Sequence, residues 1–193
     1  MPEDRWLVVG LGNPGATYEA TRHNAGFLII DELLSRVGGR LKAHKGNADV
    51  CESRLSALPT VLAKPRTFMN ESGGPVAALR DYYKIDAQRL VVVHDELDIP
   101  FGTVRLKLGG GDNGHNGLRS IRRSIGTGDF LRVRFGIGRP PGRMDPAAFV
   151  LKPFASAERA DLGWAVDRTA DAVESLLTDG LEAAQNQYHE DPA

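Results

Sequence analysis

The sequence has 193 residues, of which 41% are hydrophobic and 25% are charged, which is typical of one globular domain. No apolar run approaches the roughly 18 residues that a membrane span needs, so we expect no membrane segment. The residues before Trp6 are polar and lead into a strand-like run, which argues against a signal peptide. Cys51 is the only cysteine. No internal disulfide can therefore form, and a cytoplasmic location is the default expectation.

The net charge of −1 hides an uneven distribution along the chain. Residues 104–143 contain nine Lys and Arg residues against two aspartates, whereas residues 144–193 contain three basic and ten acidic residues. A basic segment of this kind is suited to a polyanion such as nucleic acid. A solvated surface of mixed charge gives the same count, so charge alone leaves both interpretations open.

Apolar periodicity predicts strands that alternate with helices. Short apolar or alternating runs predict strands at residues 6–11, 49–55, 60–63, 90–93, 104–108 and 131–137. Apolar side chains at helical spacing predict helices across residues 27–37, 76–83, 118–125 and 162–177. Pro59 is expected to break the strand at 49–55. The fold class is therefore α/β, with one domain over residues 1–193 and a twisted mixed sheet flanked by helices.

Polar residues follow three of the buried strands at the same relative place. Asn13 follows the first strand, Met69-Asn70 the second and Asp95 the third. If these strands are parallel, their loops meet in the crevice beyond the carboxyl edge of the sheet. His23 leads into the helix after the first loop, and we expect it to reach the same crevice.

The glycine-rich loop at 109–117, which carries His115 and Asn116, can form another wall of that crevice. Each residue also has a purely structural interpretation. Asn13 can satisfy a turn, Asn70 can cap a helix, and the histidine and asparagine of the loop can cap the next helix. The remaining histidine and carboxylate can equally lie at the surface or bind a loop amide. Only their expected convergence favours a functional site.

A histidine, a carboxylate and amide side chains limit the chemistry. A carboxylate can orient an imidazole, the imidazole can take a proton from water, and Asn N–H groups can stabilise an oxyanion. Cys51 lies away from the loops, and no pair of histidines has zinc-binding spacing. This combination predicts a metal-free hydrolase of an activated carbonyl, more suited to an ester than to an amide.

The opening stretch offers a competing interpretation. Gly10-x-Gly12-x-x-Gly15 after a strand matches the dinucleotide-binding fingerprint. However, Pro14 and the polar residues that follow delay the helix, so no helix N-terminus is expected at the third glycine to hold a pyrophosphate. The acidic pair Asp31-Glu32 falls within a predicted helix and not at the end of a second strand. Dinucleotide binding is therefore a minor alternative.

Six ordered motifs resemble one known family, bacterial peptidyl-tRNA hydrolase, over about residues 6–140. The motifs are residues 9–15 (VGLGNPG), 21–27 (TRHNAGF), 64–70 (KPRTFMN), 94–98 (HDELD), 114–118 (GHNGL) and 134–138 (RFGIG). The resemblance implies cleavage of the ester between a peptide and the 3′-terminal ribose of tRNA. It also implies a single α/β domain that acts as a monomer in the cytoplasm, without a cofactor or metal.

The resemblance also implies roles for individual residues. His23 would be the catalytic base, Asp95 would orient it, and Asn13 would support the water or the oxyanion. The implied substrate-binding residues are Asn70, Met69, Asn116 and Tyr18, and the implied clamp on the tRNA 5′-phosphate is Lys107 with Arg134. The loop 109–115 departs from the usual family pattern. A tRNA-binding module without catalysis is a further alternative, which the presence of His23 and Asp95 disfavours.

Overall fold

The computed structural model describes residues 4–189, which form one seven-stranded sheet flanked by helices. The strands are β1 (Trp6–Gly10), β2 (Lys42–His44), β3 (Ala48–Leu55), β4 (Leu58–Pro65), β5 (Leu90–Leu97), β6 (Val104–Leu108) and β7 (Leu131–Gly138). The helices are α1 (Ala25–Val37), α2 (Gly73–Tyr83), α3 (Asn116–Ile125), α4 (Pro146–Val150), α5 (Ser156–Asp179) and α6 (Leu181–Tyr188). Short 3₁₀ turns lie at Arg22–Asn24, Met69–Glu71 and Ala87–Arg89.

The strand order is β2-β3-β4-β1-β5-β7-β6. The four strands at the centre, β4, β1, β5 and β7, are parallel, whereas β2, β3 and β6 pair antiparallel at the edges. The predicted α/β class and the predicted mixed sheet are therefore confirmed. The expectation that the three buried strands are parallel is also confirmed, and their carboxyl ends lie at one edge.

The sheet separates two hydrophobic clusters because side chains alternate between its faces. Val8, Val91 and Val93 pack on the face covered by α1 and α5. Leu7 and Val92 pack on the opposite face, beneath α2 and α3. No helix within residues 4–189 is both long and apolar enough to cross a bilayer.

Two elements differ from the sequence prediction. Strand β5 does not end at Val93 but continues to Leu97, because its backbone stays paired with β7. The β3–β4 hairpin turns at Ser56 and Ala57, both with positive φ, and Pro59 lies within β4 instead of breaking a strand. The predicted C-terminal helix at 162–177 lies within α5, and Gly180, with a φ of 89°, separates α5 from α6.

Close backbone approach explains two glycines of the opening motifs. A Cβ atom on Gly10 would collide with the carbonyl oxygen of Gly26, and one on Gly26 would collide with the backbone of Leu11 and Val93. Helix α1 can therefore start directly against β1 and β5 only because neither residue carries a side chain. This contact places the turn before α1, and the histidine in it, over the end of β5.

Candidate active site

A cavity of about 470 Å³ lies beyond the carboxyl ends of β1, β4 and β5. Seven of the residues singled out in the sequence line it: Asn13, His23, Met69, Asn70, Asp95, His115 and Asn116. The segment 145–151, which includes α4, contributes the facing apolar wall through Pro146, Ala147, Val150 and Leu151. The structure therefore brings the predicted loops together at one edge of the sheet.

His23 and Asp95 form the polar centre of this cavity. His23 lies in the 3₁₀ turn before α1, and Asp95 lies near the end of β5. The Nδ1 atom of His23 lies 2.9 Å and 3.0 Å from the two carboxylate oxygens of Asp95. A proton on Nδ1 makes this hydrogen bond, which leaves Nε2 as the basic nitrogen of the neutral ring. The His23 side chain is 12% exposed, whereas Asp95 is almost fully buried.

His115 is a second imidazole on the same carboxylate. Its Nε2 atom lies 2.9 Å from Asp95 Oδ1, while its Nδ1 atom accepts from the backbone N–H groups of Gly117 and Leu118 at the start of α3. Because Nδ1 accepts, the ring proton must be on Nε2, where it is donated to Asp95. His115 is therefore held as the neutral tautomer by a helix N-terminus and has no free basic nitrogen.

These contacts determine the charge state of the pair. Burial lowers the pKa of His23, but the charge of Asp95 and its hydrogen bond outweigh burial and raise the pKa above the ordinary 6.5. Burial by itself would raise the pKa of Asp95. The opposing effects of His23 and His115 hold that pKa far below the usual carboxyl range. Asp95 is therefore ionised at neutral pH and stabilises a proton on His23.

Asn13 is fixed in one amide orientation. Its Oδ1 atom accepts from the Met69 backbone N–H at 2.7 Å. Its own backbone N–H donates to Asn24 Oδ1 at 2.8 Å, and its carbonyl accepts from Asn24 Nδ2 at 2.9 Å. Within residues 4–189 no group accepts from Asn13 Nδ2, so this amide nitrogen can donate to a group in the cavity.

The other predicted substrate-binding residues lie in different settings. Met69 is buried in the floor of the cavity, and Asn70 and Asn116 are exposed at its margin. Asn70 does not cap α2, where Ser72 occupies the N-cap position, and the cap of α3 is His115. Tyr18 lies outside the lining and packs edge-on against the exposed Phe68, with ring centroids 6.2 Å apart.

Lys107 and Arg134 lie on the antiparallel β6–β7 pair. The register places Arg105 opposite Arg134 and Lys107 opposite Arg132, so four cations share one face. Burial lowers the pKa values of Lys107 and Arg134, the carboxylate of Glu96 raises both, and neighbouring cations lower both further. Arg132 is not available to a ligand, because it donates to the carbonyls of residues 110, 111 and 128. Cations outnumber this one carboxylate, which favours an anion at this surface.

His23, Asp95 and His115 are the one group of side chains in the described part of the chain with donor atoms spaced for a metal ion, all within 4.8 Å of one another. The atoms that would bind a cation are hydrogen-bonded to each other, and the second nitrogen of His115 is bonded to backbone amides. Protons therefore already connect this donor set, and a cation would have to replace them.

The opening glycines do not form a helix-capped phosphate loop. Gly15 has a φ of 102°, and turns and a 3₁₀ segment separate it from α1, which begins at Ala25. A pyrophosphate at the third glycine would therefore not face a helix N-terminus, as dinucleotide binding requires. The loop instead supplies Asn13 to the cavity.

Sequence reasoning did not predict the supporting roles of three residues, although it placed His115 near the crevice. Asn24 holds the backbone of Asn13, His115 holds Asp95, and the buried His94 packs edge-on against His115 at 4.9 Å. The pairs His23-Asn24, His94-Asp95 and His115-Asn116 were visible in the sequence. Which member of each pair faces the substrate and which supports it depends on tertiary contacts.

Comparison with known proteins identifies the family. A sequence model of the family described as peptidyl-tRNA hydrolase matches residues 7–193. A peptidyl-tRNA hydrolase of Frankia casuarinae is 65% identical over 95% of this chain and 93% of its own, and one of Rhodococcus opacus is 59% identical over 98% and 100%. The crystal structure of peptidyl-tRNA hydrolase from Acinetobacter baumannii is 36% identical and superposes with a TM-score of 0.91, covering 100% of this chain and 99% of the other. The chain therefore belongs to the peptidyl-tRNA hydrolase family.

Proposed function

We propose that the protein hydrolyses the ester bond between the peptide and the 3′-terminal ribose in peptidyl-tRNA, and so recycles tRNA from prematurely released peptidyl-tRNA. Membership of the family and the shared fold support this reaction. One observation carries the mechanism: His23 Nδ1 is hydrogen-bonded to the buried carboxylate of Asp95 beside an open cavity. That bond makes the second ring nitrogen a general base.

His23 activates water directly. Its Nε2 atom takes a proton from a water molecule as the water oxygen attacks the ester carbonyl carbon, and ionised Asp95 stabilises the resulting imidazolium. The Nδ2–H group of Asn13 donates to the carbonyl oxygen as negative charge develops there. When the carbon–oxygen bond to the ribose breaks, the proton passes from His23 to the ribose oxygen. Free tRNA and a peptide acid leave, and the base is regenerated.

The remaining predicted residues bind the two ends of the substrate. Asn70 and Asn116 position the ester at the cavity margin, and Met69 forms the floor on the peptide side. Tyr18, supported by Phe68, contacts the substrate outside the cavity.

Lys107 and Arg134 bind the 5′-phosphate of the tRNA. The position of both side chains on one face of the β6–β7 pair, where cations outnumber carboxylates, supports this role.

We also propose that hydrolysis needs neither a metal ion nor a cofactor, and that the protein acts as a monomer in the cytoplasm. The hydrogen bonds that connect His23, Asp95 and His115 support the metal-free mechanism, since they use the atoms that would bind a cation. Turnover should be unchanged after treatment with a chelator. Loss of turnover that an added divalent ion restores would contradict this part of the proposal.

The direct test is release of tRNA from N-acetylated aminoacyl-tRNA by the purified protein. We expect His23→Ala to reduce turnover by roughly a thousandfold or more, because the general base is lost, while tRNA binding survives. A variant that keeps wild-type turnover would remove His23 from the mechanism. Wild-type protein that binds tRNA but releases none would favour the binding module over the enzyme.

A further inference from the structure

Arg22 immediately precedes the proposed base and is buried despite its charge. Its backbone N–H donates to the carbonyl of Lys152 at 3.0 Å, and its neighbour Thr21 forms an isolated antiparallel bridge with Pro153. The segment that leads into His23 is therefore attached by its main chain to the segment that follows α4.

The Arg22 side chain strengthens the same connection. One terminal nitrogen donates to the carbonyl of Phe149 at 3.2 Å, and the other donates to Glu158 at 3.1 Å. The guanidinium carbon lies 3.9 Å from the centroid of the Phe149 ring. The planar group thus binds α4 through a carbonyl and a ring face, and binds the first turn of α5 through a carboxylate.

Helix α4 depends on such contacts for its position. It has five residues, far fewer than an isolated helix needs to be stable in water. Its residues Pro146, Ala147 and Val150 line the cavity that contains His23. The wall that faces the base is therefore carried by a segment that Arg22 holds in place.

We propose that Arg22 is a positioning residue for catalysis, which fixes the cavity wall at 145–151 relative to His23 and so sets how the ester is seated against the base. This inference rests on the proposed function. Arg22 does not touch the reacting atoms and acts through geometry. Lysine would keep the charge but not the planar group that reaches a carbonyl, a carboxylate and a ring face together.

A purely stabilising ion pair is the competing explanation, and Arg36 provides a matched control. Arg36 lies in the last turn of α1 and also connects to α5, through Asp167, Asp171 and Glu174. Arg36 does not line the catalytic cavity. Replacing Arg36 therefore removes a comparable link to α5 without moving the base or its facing wall.

The experiment compares Arg22→Met and Arg36→Met by thermal unfolding and by steady-state hydrolysis of N-acetylated aminoacyl-tRNA at a temperature where both are folded. We expect both to unfold at a lower temperature. Arg22→Met should also lose about a hundredfold in kcat, the effect of misplacing reacting groups by about 1 Å. Arg36→Met should keep kcat and KM within about twofold of wild type.

Two further measurements separate positioning from charge. Arg22→Lys should remain well below wild type in kcat, while the midpoint of its kcat/KM pH profile stays at the wild-type position. If Arg22→Met does not fold, Glu158→Ala takes its place and should lose about tenfold in kcat, the size of one hydrogen bond to a charged group.

Wild-type turnover of the same substrate tests the proposed function independently. If wild type is active and folded Arg22→Met has wild-type kcat and KM, the positioning role is overturned. If Glu158→Ala is the variant tested, wild-type kcat and KM in that folded variant overturn the role in the same way. Full recovery of kcat by Arg22→Lys would overturn it as well, because charge alone would then suffice.

Discussion

Two cavities meet at Asn13 and differ in how the polar side chains that line them are hydrogen-bonded or paired. The larger, about 980 Å³, lies between α1, the ends of β3 and β4, and α5. Four of its charged side chains form ion pairs with each other: Lys64 lies 2.6 Å from Asp31, and Arg66 lies 3.7 Å from Asp49. The smaller cavity, about 470 Å³, leaves a ring nitrogen of His23 and the amide nitrogen of Asn13 without protein partners among the described residues.

Unused hydrogen-bonding capacity therefore distinguishes the proposed catalytic cavity better than volume does. In the smaller cavity, the hydrogen bonds to His23 and Asn13 leave one nitrogen of each side chain facing the cavity. The residues that make these hydrogen bonds are themselves buried. In the larger cavity no such orientation is imposed, since exposed ion pairs contribute little and rearrange readily. Substitutions should therefore have large effects on one side of Asn13 and small effects on the other.

The largest effect in this comparison is expected for Asp95→Asn. An amide cannot stabilise the protonated imidazole and accepts from His23 or His115 with one oxygen only, so kcat should fall by roughly a thousandfold. Hydrolysis of N-acetylated aminoacyl-tRNA measures it, with tRNA binding as the control for folding. A loss of less than about tenfold would mean that the carboxylate does not assist the base.

Asn13→Ala should come next. Removing one donor to a developing oxyanion lowers kcat by about a hundredfold, and KM should change far less because the bond strengthens in the transition state. The substitution also removes the acceptor for the Met69 backbone N–H. Asn13→Asp keeps that acceptor and loses the donor, so it should be as inactive as the alanine variant. Activity restored by aspartate would show that Asn13 acts only as a structural acceptor.

Lys107→Ala and Arg134→Ala should produce an intermediate effect that depends on salt. Each should weaken tRNA binding roughly tenfold at low salt and reduce the slope of log Kd against log salt concentration by about one. Binding titrations over a salt series provide the measurement. Arg168→Ala, on α5 in the acidic segment 144–193, is the control and should leave the slope unchanged. If Lys107→Ala and Arg134→Ala both keep the wild-type slope, these two side chains do not contact a phosphate.

Arg66→Ala, in the larger cavity, should have the smallest effect. Its side chain is 51% exposed and its ion pair with Asp49 is long, so kcat and KM should stay within about twofold of wild type. The same hydrolysis assay applies. A loss as large as that of Asn13→Ala would show that the larger cavity takes part in the reaction, and the distinction between the two cavities would be wrong.

Much of this arrangement could be predicted from the sequence. Apolar runs at 6–11, 60–63 and 90–93 predicted the buried strands, and parallel pairing then required the residues after them to meet. The contact between His23 and Asp95, 72 positions apart, follows from that convergence. The same reasoning did not predict that Asp95 itself lies within β5. Pairing with β7 is made by backbone atoms, and the polar residues at the end of β5 lack the apolar pattern by which strands are predicted.

The supporting contacts could not be predicted because they depend on tertiary structure. Nothing in the local sequence distinguishes Asn13, which offers its amide to the cavity, from Asn24, which holds it in place. The bond from His115 to Asp95 joins the start of α3 to β5, and the pattern around His115 indicated a wall of the crevice or a helix cap, but not this bond.

The pH titration of the His23 imidazole by NMR, in wild type and in Asp95→Asn, shows whether Asp95 holds His23 as a base. In wild type Asp95 outweighs burial, so the pKa should lie above 6.5, and kcat/KM should rise with pH through it as the base loses its proton. Without the carboxylate only burial remains, and the pKa should fall below 6.5. A wild-type pKa below 6.5, or one that Asp95→Asn does not change, would contradict the assignment of His23 as a base held by Asp95.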